Sequence, residues 1–198
     1  QSSSHKGKSH SQFGYMEGSY EIDTLNLITF SANLFGYGYE SNGLGTTQMM
    51  NAQRQHAYSY NLLSRSESSS THFNANFDYQ RSFKKKGEYL TFSYRYGTSP
   101  NSNESHTDYA DIKDYPYDAS YLYNQFYDNH SRTDEHIFQL DYTNPINKVH
   151  SIDFGGKYIH RNNKSESDYF KRSVTESDYY LDERPESHYQ QTHNILAA

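Results

Sequence analysis

Apolar and polar residues alternate at a period of two in three separate stretches, and each stretch folds back on itself around a short polar segment. The second pair is the clearest. Phe73, Ala75, Phe77 and Tyr79 share one parity, while Asn74, Asn76, Asp78 and Gln80 share the other. After Lys84-Lys85-Lys86-Gly87 the alternation resumes, with Leu90, Phe92, Tyr94 and Tyr96 against Thr91, Ser93 and Arg95. A helix would repeat its apolar positions at three and four, so this period specifies strands with one apolar and one polar face.

The first pair turns at Ile22-Asp23-Thr24-Leu25-Asn26, where Asp and Asn are turn formers. Ile28, Phe30, Ala32 and Leu34 then oppose Thr29, Ser31 and Asn33. The strand before that turn, about 9–21, carries aromatics at both parities, so its facing is open. The third pair sets Phe138, Leu140 and Tyr142 against Gln139, Asp141 and Thr143. It turns at Asn144-Pro145-Ile146-Asn147 and returns with Ile152, Phe154 and Tyr158 against Ser151, Asp153 and Lys157.

The pattern predicts hairpins over about 9–39, 68–97 and 135–160, and a final strand over about 189–198. The turns centre on Thr24, Lys85 and Ile146, spaced by about 61 residues. The connections between hairpins, about 40–57, 98–133 and 162–187, read as long polar loops. Short turns at one end and long loops at the other is the layout of a transmembrane β-barrel. The expected fold is all-β, an antiparallel up-and-down meander of about seven strands forming part of a larger barrel. Bacterial single-chain barrels use an even strand number. A fourth turn at equal spacing would fall beyond Ala198, so all 198 residues read as a partial barrel domain.

Composition sharpens this. A mean hydropathy of -1.10 and the lack of any run near roughly 18 apolar residues exclude spanning helices. The 22 Tyr and 11 Phe argue against disorder, which is poor in aromatics. A chain this polar makes sense if half of each strand faces lipid and half faces water. The polar face of Thr, Ser, Asn, Asp, Gln, Arg and Lys suits a wide hydrated lumen, because lone charges such as Asp78 and Arg95 are costly to bury bare. Residues 1–8 hold no apolar run of a secretion signal, as expected after signal removal or for a chain that starts inside a longer protein.

Tyr20-Glu21-Ile22-Asp23-Thr24-Leu25-Asn26 and the alternating run to Phe35 resemble the barrel region of TonB-dependent receptor-like outer-membrane proteins of the Bacteroidetes type. Asn74 to Gln80 and Leu90 to Tyr94 are similar to the hairpin that follows in that family. The resemblance covers nearly the whole chain and rests on strand patterns. It implies a large outer-membrane barrel with an N-terminal plug, energised through a TonB box and taking up a bulky nutrient ligand. It further implies TonB and a surface lipoprotein as partners of the full-length protein. Neither plug nor TonB box lies within this sequence.

Catalytic and cofactor chemistry is not indicated. The 11 histidines lack metal-ligand spacing, and there are no cysteines. Gly36-Tyr37-Gly38 is not followed by the rest of a dinucleotide fingerprint. The acids Asp108, Asp111, Asp114 and Asp118 lack EF-hand spacing and read as solvated loop charges. The net charge of -6 speaks against nucleic acid. No enzyme activity, metal or cofactor is expected.

Six tyrosines, Tyr109, Tyr115, Tyr117, Tyr121, Tyr123 and Tyr127, crowd one connection and are the candidate ligand-contacting loop. Tyrosine presents a rigid amphipathic surface that stacks on sugars or peptides. Lipid is expected to touch Ile28, Phe30, Ala32, Leu34, Phe73, Phe77, Leu90, Phe92, Phe138, Leu140 and Phe154. The expected role is part of an outer-membrane receptor or transporter. The alternatives are a non-transporting structural or adhesin-type barrel, and a soluble β-sheet glycan-binding module.

Overall fold

Three tight turns at one end of the molecule are each closed by local side-chain chemistry. A computed structural model describes residues 2–147, 149–182 and 188–197. At the first turn the Asp23 carboxylate accepts the backbone N–H groups of Leu25 (2.8 Å) and Asn26 (2.9 Å) and the Asn26 amide. Those donors hold the Asp23 carboxyl below its ordinary range. The second turn needs Gly87, whose φ of 83° only glycine adopts without strain. At the third, Asn147 accepts the N–H groups of Val149 and His150, both at 2.9 Å. Lys85 of the second turn donates to Asn144 beside the third at 2.8 Å.

From these turns rise six long strands: β1 (Ser2–Asp23), β2 (Asn26–Met50), β3 (His56–Ser82), β4 (Tyr89–Lys113), β5 (Tyr123–Pro145) and β6 (Ser151–Ser173). Two shorter pieces, β7 (Tyr180–Leu181) and β8 (His188–Ala197), both pair with β6. All form one antiparallel sheet in sequential order, with seven strand positions. The expected meander is therefore what the chain forms. With seven positions the first and last strands run in the same direction. The two edges cannot pair antiparallel with one another, so closure takes an odd number of further strands.

The strands run well past the expected hairpin bounds. Most of the three connections expected to be long loops is ladder, leaving, among the described residues, 51–55, 114–122 and 174–182 outside the long strands. The reason is visible at Ser64–Ser70 of β3. This run has no apolar alternation, yet it pairs residue for residue with Tyr37–Gly43 of β2 and Asn101–Thr107 of β4. Backbone hydrogen bonds to two neighbours hold it, and both of its faces are polar.

Strands of 22 to 27 residues span about 75–90 Å. A membrane crossing takes only about 9–11 residues. The alternating segments next to the turns come much nearer to that length: the apolar positions span seven residues on each strand, from Ile28 to Leu34 on β2 and from Phe73 to Tyr79 on β3. The register puts all eleven expected lipid-facing residues on one side of the sheet. Ile28, Tyr79, Phe92 and Leu140 form one lateral row, and Phe30, Phe77, Tyr94, Phe138 and Tyr158 form the next. Tyr94 and Phe138 rings lie 4.9 Å apart within it.

This apolar band is oblique to the rows. On β2 it reaches Leu34, but on β6 it stops at Tyr158, which shares the row of Phe30. At its lower edge it starts at Ile28 on β2 but at Ile152 on β6, beyond Gly156 in the row of Ile28. Both edges drop by about four residues over four strand steps. A shift of about one residue (3.3 Å) per strand (4.8 Å) is a slant of about 35°. Transmembrane barrel strands tilt by about that angle. A flat membrane crossing tilted strands requires such a slant.

Among the described residues no second layer covers either side. Only Ala32 and Ile137 are buried apolar residues, while Phe154 on the apolar side is 64% exposed. A soluble domain would bury such a face against another element.

Candidate functional site

Beyond the apolar band the two faces of the sheet change character. The side continuous with the band becomes charged: Glu40, Glu67, Glu104, Asp128 and Asp168 occupy one lateral row. Like charges on adjacent strands repel. Arg65 beside Glu67 offsets this, while His106 lies 2.9 Å from Glu104 and His130 lies 3.2 Å from Asp128 on the same strands. The opposite, inner face becomes rich in tyrosine, serine and asparagine. Tyr37 and Tyr39 on β2 pair with Ser70 and Ser68 on β3, and Tyr127 on β5 pairs with Tyr169 on β6.

The connection from β4 to β5 is built by a short 3-10 turn, Ala119–Tyr121. The Asp118 carboxylate caps it by accepting the Ser120 N–H at 2.9 Å, which lowers the Asp118 pKa. The Ser173 hydroxyl donates to the Ser120 carbonyl at 3.1 Å, and the Val174 N–H donates to the Leu122 carbonyl. The connection is thereby fastened to the outer end of β6. Asn124, only 4% exposed, accepts the Tyr109 N–H at 2.8 Å and locks the end of β4 to the start of β5.

The six candidate tyrosines fall into separate groups. Tyr109 ends on β4, where its ring meets that of Tyr60 at 5.3 Å. Burial, reinforced by the Tyr60 and Tyr115 phenols, pushes its pKa up. Tyr115 and Tyr117 lie in the connection, 5.7 Å apart, and Tyr115 meets Tyr58 edge-on at 5.5 Å. Tyr123 and Tyr127 lie on β5. Lys171 sits 6.0 Å from the Tyr123 ring and 5.5 Å from that of Tyr180. Tyr127 packs on Tyr169 at 4.8 Å. Tyr121 is 75% exposed at the tip. Half of the expected loop is thus strand, and its rings point along an inner wall as well as across a rim.

Tyr58, Tyr60, Tyr169 and Tyr180 belong to the same surface and lie outside the segment that composition singled out. Their signal was parity: 58, 60 and 62 alternate as on any strand. Nearer the band, Arg161 pairs with Glu135 across β5 and β6. With His72, Asn74 and Gly97 they line a shallow inner cleft of about 350 Å³. Among the described residues no group of His, Asp or Glu is disposed to hold a metal ion. No helix among them is long and apolar enough to cross a membrane, a fact that does not bear on strands.

A single antiparallel sheet with one slanted apolar band, a polar opposite face and tight turns at one end defines a portion of an outer-membrane β-barrel. Comparison with known families agrees: the model of the outer membrane protein beta-barrel family matches residues 81–198, and the chain belongs to that family. Its location is accordingly the outer membrane, and the family is not a catalytic fold. No curated protein matches the chain. Among solved structures it is similar to the ferric yersiniabactin uptake receptor FyuA from Yersinia pestis, at 10% identity and a TM-score of 0.28. That alignment covers 97% of this chain and 42% of the receptor, so the chain spans less than half of that protein's length.

Proposed function

We propose that this sheet is a sector of an outer-membrane receptor that takes up a bulky nutrient ligand with energy from TonB. The short turns face the periplasm, the slanted band contacts outer-membrane lipid, and the upper strands stand in the external medium. The observation that carries the reading is the change of the inner face along single strands. At band level it offers Asn74, Asn76, Asp78 and Arg95, the lining of a hydrated lumen. Above the band it becomes a wall of serine and asparagine set with tyrosines: Tyr37 and Tyr39 on β2, Tyr127 and Tyr169 on β5 and β6, and Tyr60, Tyr109 and Tyr123 at the outer strand ends. A structural barrel has no need of an aromatic inner wall standing clear of the membrane; a receptor that gathers a large ligand before passage does. The tyrosines at 109, 115, 117, 121, 123 and 127 are the first contacts. TonB and a surface lipoprotein are the partners of the full-length protein.

The test compares cells carrying the full-length protein with cells deleted for it, following depletion of medium components by mass spectrometry. Selective depletion that stops when a protonophore collapses the inner-membrane proton gradient supports the reading. Equal depletion by both strains, or depletion indifferent to the protonophore, contradicts it.

A further inference from the structure

The wall above the band is two-sided in charge, and the division is sharp. Across β2 to β6, four successive inner rows run from Phe35 and His72 up to Tyr127 and Tyr169. Not one of their positions is Asp, Glu, Lys or Arg. The intervening outer rows on the same strands carry Arg132, Lys164 and Glu166 as well as the five carboxylates described above. Random loop composition would mix these sets. The chain is 21% charged, yet it keeps every charge in this stretch on the outer side.

We infer that the inner wall binds a neutral oligosaccharide. Uncharged hydroxyl and amide groups on β3 to β6 are flanked there by the rings of Tyr37 and Tyr39 on β2 and of Tyr127 and Tyr169 on β5 and β6, which is the chemistry that recognises a sugar: ring faces against tyrosine and hydroxyls against Asn and Ser. Tyr127 and Tyr169 lie directly opposite each other, with ring centroids 4.8 Å apart and planes tilted by 38°, a packed aromatic pair. One row nearer the membrane, the Asn129 amide donates to Ser167 Oγ at 2.6 Å and to Ser165 Oγ at 3.2 Å, which fixes its orientation. Preset polar groups beside packed aromatic rings lower the ordering cost of binding. An anionic metal chelate would need cations on this wall. The two inner cations that border it are engaged, Arg161 with Glu135 and Lys171 with Asp182 at 3.0 Å. A peptide would need partners for its charged termini and pockets for apolar side chains, and the rows supply neither.

This inference rests on the uptake reading and can fail separately from it. Full-length protein in detergent is titrated by calorimetry with neutral linear oligosaccharides of glucose, mannose and N-acetylglucosamine. Matching uronic-acid oligosaccharides, short peptides and a ferric catecholate chelate are titrated in parallel. Heat-modifiable electrophoretic mobility checks that each variant assembles. The expected result is binding of a neutral oligosaccharide, weakened about tenfold by Tyr127→Ala and by Asn129→Asp, and unchanged by Asp128→Asn on the outer side. If chelates or peptides bind and neutral sugars do not, the inference is overturned while uptake stands. Neutral binding that is indifferent to Tyr127→Ala and Asn129→Asp also overturns it. Binding of none of the probes, with cells depleting nothing from the medium, overturns both readings.

Discussion

Tyr60 on β3 and Tyr109 on β4 pack ring to ring, with centroids 5.3 Å apart and planes at 60°. This contact lies where β3 has a register irregularity between Ser59 and Asn61, and it holds the outer ends of two strands together beyond that break. Such a pair contributes about 0.5–1.5 kcal/mol beyond the area it buries. A double-mutant cycle with Tyr60→Ala and Tyr109→Ala in the assembled barrel should show coupling of that size in urea unfolding. Proteolytic nicking of the 114–122 connection should rise in both single variants. Additive effects would mean that the outer ends are not packed through these rings.

The apolar band makes a sided demand on adjacent residues. Phe92 lies in it, and Ser93 faces the other way. Phe92→Arg should destabilise the barrel by about 2–4 kcal/mol near the midplane, whereas Ser93→Arg should be tolerated. Yield of heat-modifiable barrel in the outer membrane reads the difference. Equal yields would reverse the assignment of faces.

The first turn is pH-sensitive through Asp23. Its carboxylate accepts the Leu25 and Asn26 donors, and its pKa is lowered in the folded chain. A lowered carboxyl contributes stability above its unfolded pKa of about 3.9 and loses it as pH falls through the folded value. The urea midpoint should therefore fall in acid more steeply for the native protein than for Asp23→Asn. Parallel pH profiles would show that the turn does not use the charge.

At Gly87, φ is 83°. Gly87→Ala should slow hairpin closure and lower stability by about 1 kcal/mol or more, because alanine is strained there. Refolding kinetics into detergent would reveal this. An unchanged rate and midpoint would mean that the turn adopts another conformation.

The sequence showed clearly those segments where one face meets lipid and the other water, since that contrast writes a period of two into the chain. Ile28 to Leu34, Phe73 to Tyr79 and Phe138 to Tyr142 are of this kind, and the turns at Asp23, Gly87 and Asn147 announce themselves by residue type. Above the membrane both faces meet water, and the period vanishes although pairing continues. Ser64–Ser70 could not be told from a loop for that reason. The candidate site suffered in the same way. The Tyr109–Tyr127 cluster stood out by density, but Tyr60 and Tyr169 reach it only through register. The slant of the band is likewise a property of several strands compared, not of any one.

These 198 residues hold no cysteine, so single cysteines placed in them, in a full-length protein freed of any other cysteine, read the layout directly. Single substitutions Glu67→Cys, Asp128→Cys, Phe92→Cys, Leu140→Cys and Lys85→Cys are treated in intact cells with a membrane-impermeant maleimide, then again after outer-membrane permeabilisation. A barrel whose long strands stand outside, whose band lies in lipid and whose turns lie in the periplasm predicts labelling at 67 and 128 in intact cells. It predicts protection at 92 and 140 throughout, and labelling at 85 only after permeabilisation. Labelling of 92 and 140 as readily as 128, or of 85 in intact cells, would contradict it.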